Sequence, residues 1–290
     1  MSEAVRAEAP GEAAHMSYEV KDGIGLITLN RPDKLNAWTG EMEKGVKRAV
    51  GAAAKDGKVR VIVLTGAGRG FCAGADMNLL QSIEPEGGRR NIVSKEEEEA
   101  VDLSYDHGPS VIEHFHGRFG YLFECPKPVI GAINGACAGL GLVVSLFCDL
   151  RFASEEAKFT TSFAQRGLVA EHGIAWLLPR LIGSAHALDL LMSARKIDGR
   201  EAARLGLVNQ AFPADKFMEE VMAYARHMAA NVSPRSMAVM KRQVYKSLFQ
   251  DFNQSTGMAD KEMQASFKSA DFKEGVAHFV EKRAANFTGR

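Results

Sequence analysis

The stretch KPVIGAINGACAGLGLVVSLFCDLRFASEEAKFT, residues 127–160, decides the fold class. Its opening apolar run, 127–135, reads as a buried strand, and 148–160 reads as a further strand pair. Between them, ACAGLGLVVSLF (136–147) reads as a helix entered through small residues. Strand, helix and strand in that order indicate α/β architecture, with mostly parallel strands covered on both faces.

The same grammar extends outward in both directions. YEVKDGIGLITLN (18–30) reads as a hairpin, VRVIVLTG (59–66) as another buried strand, and 39–55 as a helix. From about residue 184 the pattern turns helical, through ADKFMEEVMAYARHMAANV, PRSMAVMKRQVYKSLFQDF and KEGVAHFVEKRAANF, whose apolar stripes suit core or oligomer contact. Residues 81–118, with PEGGRR, SKEEEEAVD and HGPSVIEHFHGRF, read as a polar insertion forming a solvated helical surface rather than a lid. The chain divides into a disordered tail (1–15), an α/β core (16–205) and a helical C-terminal region (206–290).

Composition narrows the function classes. The 290 residues are 46% hydrophobic and 25% charged, enough for a sizeable core, and Lys plus Arg equals Asp plus Glu at 36 each. No overall field draws in nucleic acid or an acidic membrane, so any anion site must be local. Four cysteines without C-x-x-C spacing (Cys72, Cys125, Cys137, Cys148) fit free thiols in a reducing cytoplasm. No apolar run approaches the roughly 18 residues that span a bilayer, and MSEAVRAEAPGEAAH lacks the pattern of a secretory or transit segment.

A repeat carries the first functional signal. Cys-Ala-Gly-x occurs at Cys72–Ala75 in FCAGAD (71–76) and again at Cys137–Leu140 in ACAGLG (136–141), each time where a strand hands over to a helix. Small residues there let backbone approach a ligand, and a helix start leaves N–H groups unpaired. Either turn alone fits tight packing equally well. Together they can supply two N–H donors converging on one oxygen, the geometry of an oxyanion hole. Other motifs fail: GAGRGF (66–71) has Phe71 where a dinucleotide fingerprint needs Gly, neither G-x-x-x-x-G-K-[ST] nor G-x-S-x-G occurs, and HFH (114–116) lacks a third metal ligand and reads as surface. In GLVAEHGIAWLLPRLIG (167–183), Glu171 lies among Leu168, Val169, Ile174 and Trp176, where apolar surroundings disfavour its charged form and suit a group that takes and returns a proton. If that segment is helical, Glu171 and His172 cannot share one face, and His172 reads as a hydrogen-bonded structural residue. Cys72 and Cys137 have no base nearby in sequence and read as small core residues.

These blocks, with LITLNRPDKLNAW, VIVLTGAGRGFCAGADM, ARKIDGREAARLGLVNQAF and the terminal EGVAHFVEKRAANF, resemble the enoyl-CoA hydratase/isomerase family, or crotonase superfamily, from about Tyr18 to the end. The resemblance implies a crotonase-like spiral of β-β-α units, a C-terminal helical part that forms a homotrimer or dimer of trimers, and an acyl-CoA thioester substrate. No cofactor or metal is implied beyond the CoA carried by that substrate. It places the oxyanion donors on the N–H groups of Ala75 and Leu140, where Leu140 replaces the Gly usual in hydratases, and the acid/base on Glu171. It assigns CoA binding to Arg31, Lys34, Leu35, Ala73, Gly74, Asp76, Met77, Gly139, Phe279 and Lys282. The two glutamates with which hydratases hold water correspond to Val143 and Phe163, whereas Glu171 matches the single acid/base of Δ3,Δ2-enoyl-CoA isomerases. The expected reaction is therefore a 1,3 proton shift. Hydration through Glu171 alone and a non-catalytic acyl-CoA-binding role are the alternatives.

Overall fold

The computed structural model describes residues 15–77, 115 and 117–290. Strands β1 (Met16–Lys21) and β2 (Ile24–Leu29) form the expected hairpin. Its two-residue turn holds Asp22 and Gly23 at positive φ (52° and 77°), the twist that suits a right-handed ribbon. Helix α1 (Gly40–Lys55) follows, its Thr39 side chain accepting from the Met42 N–H, and it buries Met42, Val46, Ala49, Val50 and Ala53 at helical spacing.

A strand pair then recurs: β3 (Val61–Gly66) with β4 (Gly70–Cys72), β5 (Val129–Ile133) with β6 (Ala136–Ala138), and β7 (Leu150–Ser154) with β8 (Lys158–Thr160). The short helix α2 (Gly120–Glu124) precedes β5, α3 (Leu140–Leu146) follows β6, and α4 (Ile174–Ser193) follows β8. The first strand of each pair enters a six-stranded sheet of order β1-β2-β3-β5-β7-β10; the second enters a four-stranded sheet of order β4-β6-β8-β9. Here β9 is Ile197–Asp198 and β10 is Gln210–Phe212, with α5 (Gly199–Leu205) between them. The result is the crotonase spiral of β-β-α units. Residues 136–138, read from sequence as the start of a helix, form β6 instead, because a three-residue strand is too short to show a period.

β3 explains why the large sheet reads as unbroken apolar runs. Ile62 and Leu64 pack into one core, while Val61 and Val63 face a second core completed by Phe217, Val221 and Ala225 of α6 (Phe217–Asn231). Both faces are covered, so no alternation remains. Since β10 and α6 complete that sheet, the boundary expected at 205/206 falls inside the α/β core. His15, assigned to the tail, is anchored by its Nδ1 to Thr39 Oγ1 at 2.8 Å. Beyond α6 lie α7 (Pro234–Ser247), α8 (Phe252–Phe267) and α9 (Ala270–Glu281). α4 has the length and apolar content of a membrane span, contrary to the sequence expectation, yet it carries Pro179, breaks at Gly183 and buries Ile174, Leu177, Leu178 and Ile182 in the core. Among the described residues no group of three or more His, Cys, Asp or Glu is placed to hold a metal.

α7 is tied to the sheet by a buried charge pair. Lys241 donates to Asp149 at 2.8 Å and to the carbonyls of Leu122 and Lys127; Asp149 also accepts from Tyr245 Oη and the Val129 N–H. Removing one partner strands the other charge in a dry site, which costs about 3–5 kcal/mol. Asp149→Ala should thus lower the denaturant-unfolding free energy by about 3 kcal/mol. A loss within 0.5 kcal/mol, the ordinary surface range, would show the pair to be peripheral.

Candidate functional site

The two Cys-Ala-Gly turns are brought together by β4 and β6, which run parallel with Gly70 opposite Ala136 and Cys72 opposite Cys137. Both chains therefore leave the ladder at the same end. After β4, Trp38 donates to Gly74 O at 2.7 Å and Asp76 donates to Trp38 O at 3.0 Å. This parallel bridge uses the groups on either side of Ala75 and leaves the Ala75 N–H on the opposite edge. After β6, Gly139 (φ 49°, ψ −116°) opens α3, so the N–H of Leu140, at the first helical position, has no intrahelical acceptor. Gly74 lies at φ 109°, and a Cβ there would stand 3.2 Å from Ala138 O and 3.9 Å from Leu140 N. The turns nest closely enough that only glycine fits between them, with the two donors on facing segments.

Glu171 belongs to a non-helical stretch. His172 (φ 53°) and Gly173 (φ 83°) are successive left-handed residues that swing the chain into α4. The helical assumption that separated Glu171 from His172 thus fails: their Oε2 and Nε2 stand 3.6 Å apart. The Glu171 side chain keeps 34% of its exposure, and Val169 is 75% exposed, so the apolar enclosure expected from sequence is one-sided, with Ile174 the fully buried neighbour. Val143 and Phe163 are buried.

His172 lines a cavity of about 390 Å³, together with Phe115, Arg118, Phe147, Trp176 and Phe249. Contacts link the cavity to the turns. Phe119 meets His172, Phe147 and Trp38 at ring distances of 6.1, 5.8 and 5.6 Å, and Trp38 bridges Ala75. Phe147 also ends α3, whose other end is Leu140, about 10 Å away by helical rise. The Arg118 guanidinium grips the Glu43 carboxylate with Nε and Nη2, and Glu43 also accepts from Trp38 Nε1 at 3.2 Å. Sequence reading missed Phe115 and Arg118 by treating 81–118 as solvated surface, and gave no role to Phe119 just beyond it; Phe115 and Phe119 are buried. Residues 78–114 and His116 lie outside the described residues.

The residues expected to bind CoA fall into separate groups. Arg31 donates to Asp76 and to Ala37 O, both at 2.8 Å, with its side chain 17% exposed, so its charge is already engaged in holding the first turn. Leu35 is left-handed and its carbonyl accepts the Ala73 N–H, while Lys34 and Met77 are exposed beside it. Phe279 and Lys282 are exposed at the end of α9 and do not line the cavity. Cys72 and Cys137, beside the turns, are free and fully buried; burial pushes the Cys72 thiol up to about 12 and the Cys137 thiol well above its usual value. A thiol-specific reagent such as Ellman's should find essentially no reactive cysteine in the folded protein over minutes and all four after denaturation. A fast-reacting Cys72 would contradict its placement.

Comparison with known proteins agrees with this architecture. The sequence profile described as Enoyl-CoA hydratase/isomerase matches residues 19–290. A "Probable enoyl-CoA hydratase" of Rhodobacter capsulatus is 34% identical, covering 94% of this chain and 97% of its own, and the "1,2-epoxyphenylacetyl-CoA isomerase" of Escherichia coli is 31% identical over 93% and 97%. The crystal structure of a Geobacillus kaustophilus protein titled enoyl-CoA hydratase subunit superposes with a TM-score of 0.80 at 32% identity, over 95% of this chain and 98% of that one. With this fold and these paired turns, the chain belongs to the enoyl-CoA hydratase/isomerase family and is an enzyme of it.

Proposed function

We propose that the protein shifts a double bond in an enoyl-CoA through an enolate, with Glu171 as the acid/base. The Glu171 carboxylate removes a proton from C2 of a 3-enoyl thioester. Electron density moves onto the thioester oxygen, where the N–H groups of Ala75 and Leu140 receive it. Such pre-aimed donors typically contribute about 10²- to 10³-fold in rate. As the carbonyl reforms, C2 and C3 become doubly bonded and Glu171 returns the proton to C4. One carboxylate suffices, because the proton leaves and arrives on the same face.

The observation that carries this reading is apolar: Val143 and Phe163 are buried where hydratases of the family carry the glutamates that hold water. Neither side chain can orient or deprotonate a water. The isomerase name of the Escherichia coli relative supports it too. Hydration by Glu171 alone is favoured by the relatives named hydratase, and the same assay separates the two. We also propose that the chain works as a homotrimer or dimer of trimers. α8 buries no side chain, and Met240, Val244, Phe252, Phe267 and Val276 on α7–α9 are all exposed, which leaves the apolar residues of these helices free to meet another copy.

Incubation with a medium-chain 3-enoyl-CoA should make the ultraviolet band of the conjugated thioester grow, and Glu171→Gln should lower that rate by about 10³-fold while acyl-CoA affinity stays nearly constant. Decay of the band from a 2-enoyl-CoA, with no growth from the 3-enoyl ester, would make the enzyme a hydratase; full turnover in the variant would remove Glu171 from the chemistry. Light scattering coupled to gel filtration should return three or six times the 31.5 kDa chain, and a monomer would refute the assembly.

A further inference from the structure

The cavity beside His172 differs from a pocket for a straight alkyl chain. Among the described residues, five of the side chains on its wall are aromatic (Phe115, Phe147, His172, Trp176 and Phe249) and Leu177 is the one aliphatic member. The rings are locked by one another. Trp176 stacks on Phe249 with centroids 5.7 Å apart and planes 9° from parallel, and Phe115 stands edge-on to both at 5.5 and 5.6 Å. The Arg180 guanidinium lies 3.7 Å over the Trp176 ring and holds the indole from α4. Phe115 also meets Phe123 and Tyr245 edge-on, which fixes its own plane.

Rigid rings offer fixed faces and edges, and these favour a planar aromatic guest in offset or edge-on contact. A cavity of about 150 Å³ already holds a benzene-sized ring. At about 390 Å³, this one has room for a substituted ring or two fused rings. Charge does not compete for the guest: Arg118, the cation on the wall, has its guanidinium clasped by Glu43, so an acyl group ending in a carboxylate would meet an arginine already neutralised. The position also fits an acyl tail. α3 runs from the donor at Leu140 to Phe147 in the cavity wall, and His172, next to Glu171, forms another part of that wall.

We infer that the preferred acyl group carries an aromatic ring, held in this cavity beyond the reacting carbons, with Trp176 and Phe249 as specificity-determining residues. The inference rests on the acyl-CoA reading of the site but not on which reaction follows. Its test is therefore binding of two inert esters with nine acyl carbons each, 3-phenylpropanoyl-CoA and nonanoyl-CoA, measured by calorimetry on the full-length protein. The aryl ester should bind about fivefold to tenfold more tightly. Phe249→Leu, at a partly exposed position where folding is not at stake, and Trp176→Leu should each bring the ratio of the two affinities close to one, chiefly by weakening the aryl ester. Equal or tighter binding of nonanoyl-CoA to the wild type would overturn the inference, as would a preference unchanged in both variants. Aryl preference without any double-bond shift would sink the isomerase reading and leave the inference standing; binding of neither ester would overturn both.

Discussion

The site depends on two parallel pairings, Gly70 with Ala136 and Cys72 with Cys137, with a register irregularity between them. β4 and β6 place Cys72 opposite Cys137, and that register makes two turns, 65 positions apart in the chain, leave the ladder side by side. A parallel pair requires a crossover that returns the chain to the same end of the sheet, so the turns meet only because the whole spiral between them has formed. A slip of one residue in either strand would turn its Gly-Ala or Gly-Leu step away from the other. Gly74 and Gly139 then fix how closely the backbones approach, since a Cβ at Gly74 would press on the Ala138 carbonyl. Packing alone could ask for small residues there, but packing does not require the N–H of Ala75 to be left on an open edge. The bridge from Trp38 does that, and Trp38 is fully buried between α1 and the cavity aromatics.

Much of this was legible in the residues. The long buried strands, the hairpin at Asp22–Gly23 and α1 announce themselves by period and turn chemistry, and the Cys-Ala-Gly repeat marks the two turns. The short strands β4 and β6 were not legible, because three residues cannot display a period and their role lies in pairing across large sequence separations, whereas β8 was read as the second half of the 148–160 strand pair. The cavity escaped for a different reason. Its wall is assembled from Phe115, Phe147, Trp176 and Phe249, on four separate segments, and Arg118 reads as a surface cation until Glu43 is seen to face it. β10 and α6 lie beyond residue 205 in a stretch whose overall pattern is helical, yet β10 joins the large sheet and α6 covers it.

Charge pairing around the site is mostly internal. Arg31 is spent on Asp76, Arg118 on Glu43 and Lys241 on Asp149, each with partly or fully buried partners. Such pairs fix geometry more than they add stability, because desolvation offsets much of their Coulomb gain. Arg31, in the loop after β2, holds Asp76 at the far end of the first turn; Glu43 joins Arg118 to the Trp38 indole. A chain with equal numbers of acidic and basic residues has little field to steer an anionic ligand, and these engaged arginines offer it little free charge; Lys34, exposed in the same loop as Arg31, forms no ion pair among the described residues.

The two left-handed residues before α4 bear on the choice of reaction. His172 at φ 53° lies in the left-handed region, uncommon for a non-glycine residue though histidine enters it more readily than most. Here it lets two sequence neighbours face each other at 3.6 Å, and it leaves Glu171 on a short loop with a third of its surface open rather than locked on a helix. Hydration asks for a water held rigidly at C3 while a proton is delivered at C2, which two fixed carboxylates do well and a single loop carboxylate does poorly, with Val143 and Phe163 both buried and apolar. A 1,3 shift asks the opposite: one carboxylate that can reach both C2 and C4 along one face, and apolar surroundings that keep water from trapping the enolate. The same apolar surfaces that fail to hold a water are the ones that would protect that intermediate.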